Sequence, residues 1–325
     1  MPDTPSRAAT HGIHHITAIA SSAAENLAFY TGVLGLRLVK RTVNFDDPHT
    51  YHLYYGDETG TPGTLLTFFP WDGVLTGRPG LGMVTAVAFA IPAAARDFWT
   101  RRLQAAGIAV SSAMRFEEEV IGFKDPHGLP IELVGSEEMP AGTPWSGSPV
   151  PPDCQVRGLH SATASVGSRR LSGTLLTELL GLRRLASEGR RTRYLLEGSG
   201  AGLRYDLIDP ADAPEGVSGG GTVHHIAFRV TDAAEQLRRR EMLVAAGLSV
   251  TPVIDRTYFK SIYFREAGGV LFELATDPPG FTVDESAADL GVGLMLPARY
   301  ESMRAAIQRR LPPLPAPAGA TNPAP

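Results

Sequence analysis

Two pairs of adjacent histidines lie in similar apolar runs of the sequence. The first pair is in GIHHITAI at residues 12–19, and the second is in TVHHIAFR at residues 222–229. Successive side chains of a β-strand point to opposite faces, so one histidine of each pair is expected to face the interior. His15 and His225 have the same phase because each directly precedes an isoleucine. A buried imidazole needs a polar partner, and two imidazoles in phase indicate a shared one.

A glutamate late in the chain completes the candidate set. Glu273 stands between Phe272 and Leu274 in the apolar run GGVLFELAT. Without the histidine pairs it would be interpreted as the exposed position of an alternating strand. Two imidazoles and one carboxylate on one face hold a divalent metal and leave its other positions open for substrate and dioxygen. His15, His225 and Glu273 are therefore the predicted metal ligands. Fe(II) is the usual metal of such a set, and Mn(II) suits the same ligands.

The elements that must position these residues follow a fourfold repeat. Alternating, strand-like runs begin near residues 12, 82, 157 and 221, and each is followed by a helical pattern and then by short extended runs. Every helical pattern ends at a glycine, which is a common helix terminator; these glycines are Gly35, Gly107, Gly181 and Gly247. The repeating unit is one strand, one helix and three strands. Four such βαβββ modules predict an α+β fold.

Composition shifts indicate where the modules are joined. Residues 137–153, EEMPAGTPWSGSPVPPD, are rich in Pro, Gly and Ser and predict a linker. Modules one and two would then form an N-terminal domain at 11–136, and modules three and four a C-terminal domain at 154–296. The last stretch, residues 311–325, is rich in Pro and Ala and is predicted to be disordered.

Bulk composition argues against several classes of partner. The 325 residues carry a net charge of −4, so no basic field would attract nucleic acid or an anionic membrane. No apolar run reaches the roughly 18 residues of a membrane span. Cys154 is the only cysteine, which leaves no disulfide framework or thiolate metal cluster. The first ten residues lack the apolar segment of a signal peptide. We therefore expect a cytoplasmic protein, with a homo-oligomer left open.

The repeat and its motifs resemble a known superfamily. The fourfold βαβββ pattern, HHIT, HHIAF and the late FEL resemble the vicinal-oxygen-chelate superfamily. The stretch RLVKRTVNFDDPHTYHLYYGDETGTPGTLLTFFPW at 37–71 resembles its ring-cleaving dioxygenases related to hydroquinone dioxygenases. The resemblance extends over nearly all of residues 11–296. It implies two cupped half-barrel domains, each built from a pair of modules, and a metal held in one cup by His15, His225 and Glu273.

The same resemblance implies an activity and a set of catalytic residues. It indicates an Fe(II)-dependent, extradiol-type dioxygenase that cleaves a hydroquinone or a related dihydroxylated aromatic with O2, in aromatic compound degradation. It places His14, His224, Arg256 and Tyr263 around the bound phenolate. A Tyr hydroxyl or a His can exchange a proton with a substrate oxygen, and an Arg can stabilise a developing anion. The candidates for the walls of the pocket are Phe69, Trp71, Tyr258 and Phe259.

Three alternatives stay open from the sequence. His160 in RGLHSAT could replace His15 as a ligand, which would place the site in modules three and four; we expect His15, which implies that modules one and four share the cup. A metal-dependent isomerase of the glyoxalase type would need a second glutamate, and Glu132 is the only evident donor. A binding protein that sequesters an aromatic compound would also use this fold, but such proteins commonly lose the ligands. A second metal site, built on Glu132 and Asp206, is not expected.

Overall fold

The computed structural model describes residues 10–137, 142–198 and 201–315. Within these ranges, sixteen strands form two eight-stranded sheets. The strands, β1 to β16 in chain order, are Ile13–Ala20, Arg37–Val43, Tyr51–Gly56, Leu65–Pro70, Met83–Pro92, Ser111–Arg115, Glu118–Lys124, Pro130–Ser136, Leu159–Ser165, Arg183–Glu188, Arg191–Leu195, Arg204–Ile208, Val223–Val230, Ile254–Asp255, Lys260–Arg265 and Leu271–Thr276. The α-helices, α1 to α5, are Ala23–Leu27, Arg96–Ala105, Arg169–Glu178, Ala233–Ala245 and Arg304–Arg310.

The predicted βαβββ module occurs four times. Helices α1 to α4 each follow the opening strand of a module, and α1 continues into a π-helical turn at Ala28–Val33. The predicted terminating glycines all adopt a left-handed backbone, with φ between 68° at Gly35 and 87° at Gly247. Only a residue without a Cβ adopts this conformation at little cost, so the glycines end the helices as the sequence indicates. The α+β prediction is confirmed.

The pairing of the modules differs from their order in the chain. One sheet, which we call the first sheet, has the strand order β14-β15-β16-β13-β1-β4-β3-β2 and joins module four to module one. The second sheet has the order β10-β11-β12-β9-β5-β8-β7-β6 and joins module three to module two. The division at 11–136 and 154–296 is therefore not the division of the sheets. The physical reason is that the opening strands pair across it, β1 antiparallel to β13 and β5 antiparallel to β9.

The segments predicted as a linker and a disordered tail are partly packed. In the linker, residues 138–141 lie outside the described residues, but Val150 is buried and the Ser148 hydroxyl donates to the Gly35 carbonyl at 2.8 Å. The predicted tail begins with Leu311, which is buried, and the Pro312 carbonyl accepts a hydrogen bond from Tyr51. Leu311 and Pro312 are thus packed against the fold, while 316–325 lie outside the described residues.

A shared hydrophobic core joins the two sheets and their helices. Its largest fully buried side chains include Tyr30 and Trp99 from the helical segments and Phe89, Tyr205 and Phe228 from strands of both sheets. Aromatic side chains bury about 150–250 Å² each and dominate such a core. In the described part of the chain, no helix has both the length and the apolar character needed to cross a membrane.

Candidate metal centre and substrate cavity

His15, His225 and Glu273 meet on the concave face of the first sheet. They come from three neighbouring strands, β1, β13 and β16. Glu273 Oε2 lies 3.4 Å from His15 Nε2 and 2.9 Å from His225 Nε2, and the two Nε2 atoms are 3.4 Å apart. All three side chains are buried. Among the described residues, this is the one cluster of three or more His, Cys, Asp or Glu side chains with metal-ligand proximity.

Two β-bulges aim the histidines. Along the β1–β13 ladder the Cα partners pass from Ile13 opposite Phe228 to His15 opposite Ala227, which leaves His14 without a partner. At the other end they pass from Thr17 opposite His225 to Ala18 opposite Val223, which leaves His224 without one. A bulge adds one residue to a strand and re-aims the side chains beside it. Each His-His pair is therefore a bulge residue followed by a candidate ligand.

The bulge histidines hold the rings of the candidate ligands. His14 Nδ1 lies 2.9 Å from His15 Nδ1, and His224 Nδ1 lies 2.8 Å from His225 Nδ1. Burial, followed by the effect of His15, keeps the pKa of His14 well below its usual value, so its neutral ring can accept a hydrogen bond. When Nδ1 of His15 donates to His14, Nε2 keeps its lone pair for a metal. Hydrogen bonds of this kind fix the tautomer and orientation of ligating histidines.

The Glu273 carboxylate also fits a metal. Its Oε1 accepts a hydrogen bond from the Ser261 hydroxyl at 2.5 Å, whereas its buried Oε2 has no hydrogen-bond partner among the described residues despite the two nearby imidazoles. Burial alone would raise the pKa of Glu273, but His15 and His225 outweigh it and hold this pKa well below its usual range. An ionised oxygen with no donor, facing two imidazole Nε2 atoms, has the donor set and geometry that a divalent cation requires. These residues fit a bound metal.

Arg256 and Tyr263 form a polar wall beside this centre. Arg256 Nε donates to the Tyr263 hydroxyl at 3.2 Å, and Arg256 also pairs with Asp46 across the cavity at 3.2 Å. Burial, followed by the negative charge of Glu273, raises the pKa of Tyr263 well above its usual value. The Tyr263 hydroxyl is therefore protonated at neutral pH. The arrangement presents one neutral hydroxyl and one guanidinium to the space above the ligands.

A cavity of about 390 Å³ opens beside the candidate metal centre, and His15 and His225 line it. Three of the four predicted wall residues line it, namely Phe69, Trp71 and Phe259. The fourth, Tyr258, is not a wall residue. Its ring stacks on Phe281, and its hydroxyl donates to Asp284 at 2.9 Å, behind the cavity. The cavity is large enough for one substituted aromatic ring and is lined mainly by rings, as ligand sites often are.

The four predicted catalytic residues do not all reach the cavity. His224, Arg256 and Tyr263 line the cavity. His14 does not; it is buried behind His15, with its ring 5.0 Å from that of Phe259. The position of His14 in the sheet therefore does not support contact with a bound phenolate. The bulge directs this ring behind the ligands, where it can orient His15.

The second sheet repeats the geometry without the ligands. Its β5–β9 ladder has bulges at Thr85 and His160, so His160 is the register counterpart of His224, and Ser161 that of His225. His160 contacts Glu118 at 3.0 Å in this sheet, so it cannot take the place of His15. The carboxylates of Glu132 and Asp206 lie here too, and arginines neutralise both of them, Arg115 at 2.6 Å and Arg193 at 2.9 Å.

Two further polar residues belong to the cavity: the sequence placed His52 at a strand position near the mouth of the cup, and it assigned no role to Tyr54. His52 and Tyr54 in β3 line the cavity, and His52 Nε2 lies 2.9 Å from the Thr67 hydroxyl in β4. Burial, followed by His15 and His225, lowers the pKa of His52 well below its usual value. A signal existed, because alternate residues of YHLYYG share a face. The face that they share became evident only from the sheet.

The comparisons with known proteins agree with this site. The profile of the Glyoxalase/Bleomycin resistance protein/Dioxygenase superfamily matches residues 12–133 and 159–283. A Bacillus subtilis (strain 168) protein named "Putative ring-cleaving dioxygenase MhqO" is 47% identical over 306 residues, 94% of this chain and 96% of its own. The "Chlorohydroquinone/hydroquinone 1,2-dioxygenase" of Sphingobium indicum is 33% identical over 320 residues, 96% of this chain and 98% of its own.

Solved structures show the same architecture. The crystal structure of a "putative dioxygenase" from Bacillus subtilis subsp. subtilis str. 168 superposes with a TM-score of 0.91 at 46% identity, covering 94% of this chain and 98% of that one. Glyoxalase I from Zea mays superposes with a TM-score of 0.62 at 14% identity, covering 82% and 92%; this second likeness concerns the fold alone. Relatives 33–47% identical over nearly the whole length are named as dioxygenases, and the chain is an enzyme of their kind. It belongs to the Glyoxalase/Bleomycin resistance protein/Dioxygenase superfamily.

Proposed function

We propose that this protein is an Fe(II)-dependent, extradiol-type dioxygenase that opens the ring of a hydroquinone or a related dihydroxylated aromatic. The observation that carries the proposal is the convergence of His15, His225 and Glu273 beneath an aromatic-lined cavity. Two imidazoles and one carboxylate are the ligand set of non-haem Fe(II) oxygenases. Mn(II) suits the same ligands. The relative named for chlorohydroquinone and hydroquinone supports a para-dihydroxylated substrate.

His15, His225 and Glu273 would hold the metal through two Nε2 atoms and one carboxylate oxygen. When bound, the metal supplies Lewis acidity to a substrate hydroxyl and a path for electrons from the ring to dioxygen. The protein supplies position. Ser261 orients Glu273, and the bulge histidines orient the other two ligands. Such support typically changes metal affinity or activity by about 10–100-fold.

The polar wall handles protons and charge. Tyr263 is protonated and close to the ligands, so its hydroxyl can donate to an anionic oxygen of the substrate. Burial alone would lower the pKa of Arg256, but Tyr263 and Asp46 outweigh it and raise this pKa above its usual value, so the guanidinium stays charged. A fixed positive charge beside the cavity stabilises an anionic ring. His224 lines the same space and can exchange a proton with a bound hydroxyl.

The two rival functions have less support. The isomerase requires a second glutamate at the metal, but its candidate, Glu132, belongs to the second sheet and is neutralised by Arg115. A sequestering protein has no need of ligands, whereas all three converge here. Fold alone decides neither question, since one fold hosts many functions.

Oxygen uptake by the metal-loaded protein tests the proposal. The protein is purified anaerobically, loaded with Fe(II), and given methylhydroquinone or catechol. We expect uptake with methylhydroquinone that is lost in His15→Ala and kept in His160→Ala. These two variants are matched, because each removes a buried histidine from the opening strand of a module. His15 lies in the first sheet and His160 in the second. No uptake with either substrate, in wild-type protein that retains its iron, would contradict the dioxygenase proposal.

A further inference from the structure

Tyr54 and Tyr263 are counterparts in the two halves of the first sheet. Tyr263 in β15 is the Cα partner of Glu273 in β16. Tyr54 in β3 is the Cα partner of Thr67 in β4, which is the last strand of its own module. Both tyrosines line the cavity. The repeat of the module therefore places a second phenolic hydroxyl on the wall opposite Tyr263.

The residues two positions before the tyrosines are also counterparts, and each contacts the last strand of its own module. Ser261 donates to the Glu273 carboxylate at 2.5 Å, and His52 Nε2 lies 2.9 Å from the Thr67 hydroxyl. In the module-four half this contact orients a candidate metal ligand. In the module-one half the partner is the Thr67 hydroxyl, so the contact orients His52 itself.

A continuous chain of hydrogen bonds ends at the Tyr54 hydroxyl. Thr17 Oγ1 lies 2.8 Å from Thr67 Oγ1, which lies 2.9 Å from His52 Nε2. His52 Nδ1 in turn lies 2.9 Å from the Tyr54 hydroxyl. All four side chains are buried. A hydroxyl has one donor and two acceptor positions, so a chain that runs from Thr17 toward Tyr54 leaves the Tyr54 proton free to be donated.

We propose that Tyr54, oriented by His52, is the subsite that recognises the second hydroxyl of the substrate, the one that does not bind the metal. The inference rests on the proposed function, because it assumes a dihydroxylated ring bound at the metal through one oxygen. On the opposite wall, Arg256 already pairs with Tyr263 and Asp46. Tyr54 donates selectively to a ring oxygen, so a ring with an alkyl group at that position loses the bond.

Two ligands of nearly equal shape test this assignment without turnover. Hydroquinone and 4-methylphenol differ by a hydroxyl in place of a methyl, and their dissociation constants are measured anaerobically by titration calorimetry on the Fe(II)-loaded protein. We expect the wild type to prefer hydroquinone, and Tyr54→Phe to reduce this preference by about 3- to 10-fold, the usual effect of one neutral hydrogen bond. Tyr54→Phe keeps the ring that packs against His52 and Phe281.

Tyr55→Phe is the matched control. Tyr55 is the next residue of the same strand, is also buried, and faces the hydrophobic core, where its hydroxyl has no hydrogen-bond partner within the described part of the chain. Its variant should keep the wild-type preference. An unchanged preference in Tyr54→Phe, or a wild type that does not prefer hydroquinone, would overturn the inference. Failure of the proposed function would appear separately, as an absence of oxygen uptake by the wild type.

Discussion

Thr67 and Glu273 occupy equivalent positions in the two halves of the first sheet. Thr67 is the partner of Thr17 in the parallel β1–β4 ladder, and Glu273 is the partner of Ala227 in the parallel β13–β16 ladder. The antiparallel neighbour of each is a tyrosine. One half of the cup thus offers a carboxylate where the other offers a hydroxyl. This difference leaves three protein ligands, so a bound metal keeps positions for small molecules.

Replacing Thr67 by Glu should change the chemistry of the cup. A second carboxylate facing Glu273 would take a metal position that substrate and dioxygen need. We expect Thr67→Glu to retain metal at least as well as the wild type. Its rate of oxygen uptake should fall by about 100-fold or more, because blocking a position that is essential to the chemistry lowers the rate at least that much. Metal content and oxygen uptake are measured on the same preparation. Thr67→Ser, which keeps the hydroxyl, is the control; wild-type uptake in Thr67→Glu would contradict the prediction.

Removing the hydroxyl of Ser261 should weaken metal binding. This hydroxyl donates to Glu273 Oε1 at 2.5 Å, and groups that orient a ligating carboxylate typically contribute about 10–100-fold to affinity. The chelator concentration that removes the metal should therefore be lower for Ser261→Ala than for the wild type by that factor. Ser165→Ala is the matched control, because Ser165 is also buried in a strand and its hydroxyl has no hydrogen-bond partner in residues 10–137, 142–198 and 201–315. Equal metal affinity in the two variants would show that Ser261 does not orient the carboxylate.

The C-terminal segment should tune substrate affinity. The Tyr300 hydroxyl donates to the Phe45 carbonyl at 2.9 Å, and Arg299 also donates to that oxygen. Phe45 and Asp46 line the cavity, so this contact fixes its rim. We expect Tyr300→Phe to raise KM about 3- to 10-fold, in proportion to one lost hydrogen bond, with little change in kcat.

Steady-state oxygen uptake separates the two constants. Glu301→Gln serves as the control, because Glu301 pairs with Arg304 on the exposed side of the same segment. A fall in kcat at constant KM for Tyr300→Phe would contradict a role in positioning the rim.

The second sheet should carry a pH-dependent part of the stability. Burial alone would raise the pKa of Glu118, but hydrogen bonds from His160 and Arg193 outweigh it and lower this pKa to about 2. The unfolded chain has a Glu pKa of about 4.3. A carboxyl with a lower pKa in the folded state stabilises the fold above the unfolded value, and this contribution is lost as the pH falls from there toward 2.

Glu118→Gln should therefore lower the free energy of unfolding by about 1–3 kcal/mol at pH 7, and the difference from the wild type should shrink between pH 5 and pH 3. Urea unfolding at several pH values measures it. Glu119→Gln, at an exposed neighbour that pairs with Arg96, should have little effect at any pH. A difference for Glu118→Gln that does not vary with pH would refute the linkage.

Much of the candidate site could be predicted from the sequence. The phase of His15 and His225 follows from the two-residue period of a strand, and that period holds locally whatever the tertiary fold. The terminating glycines and the fourfold module are equally local, because they depend on backbone conformation and on short-range apolar spacing. Phe69 and Trp71 were predicted as walls of the pocket. They belong to the stretch that carries the family resemblance, and both line the cavity.

The tertiary structure decided what depends on partners far apart in sequence. The choice of His15 as a ligand implied that modules one and four share a cup, but only strand pairing showed that their opening strands are neighbours and that His160 and Glu132 lie in the other sheet. Only the ladder register created the bulges that turn His14 behind His15. It also set His52 and Tyr54 beside Thr67. A strand's own sequence fixes which residues share a face. Its neighbours and its register fix what that face meets, and these are set by packing across the whole chain.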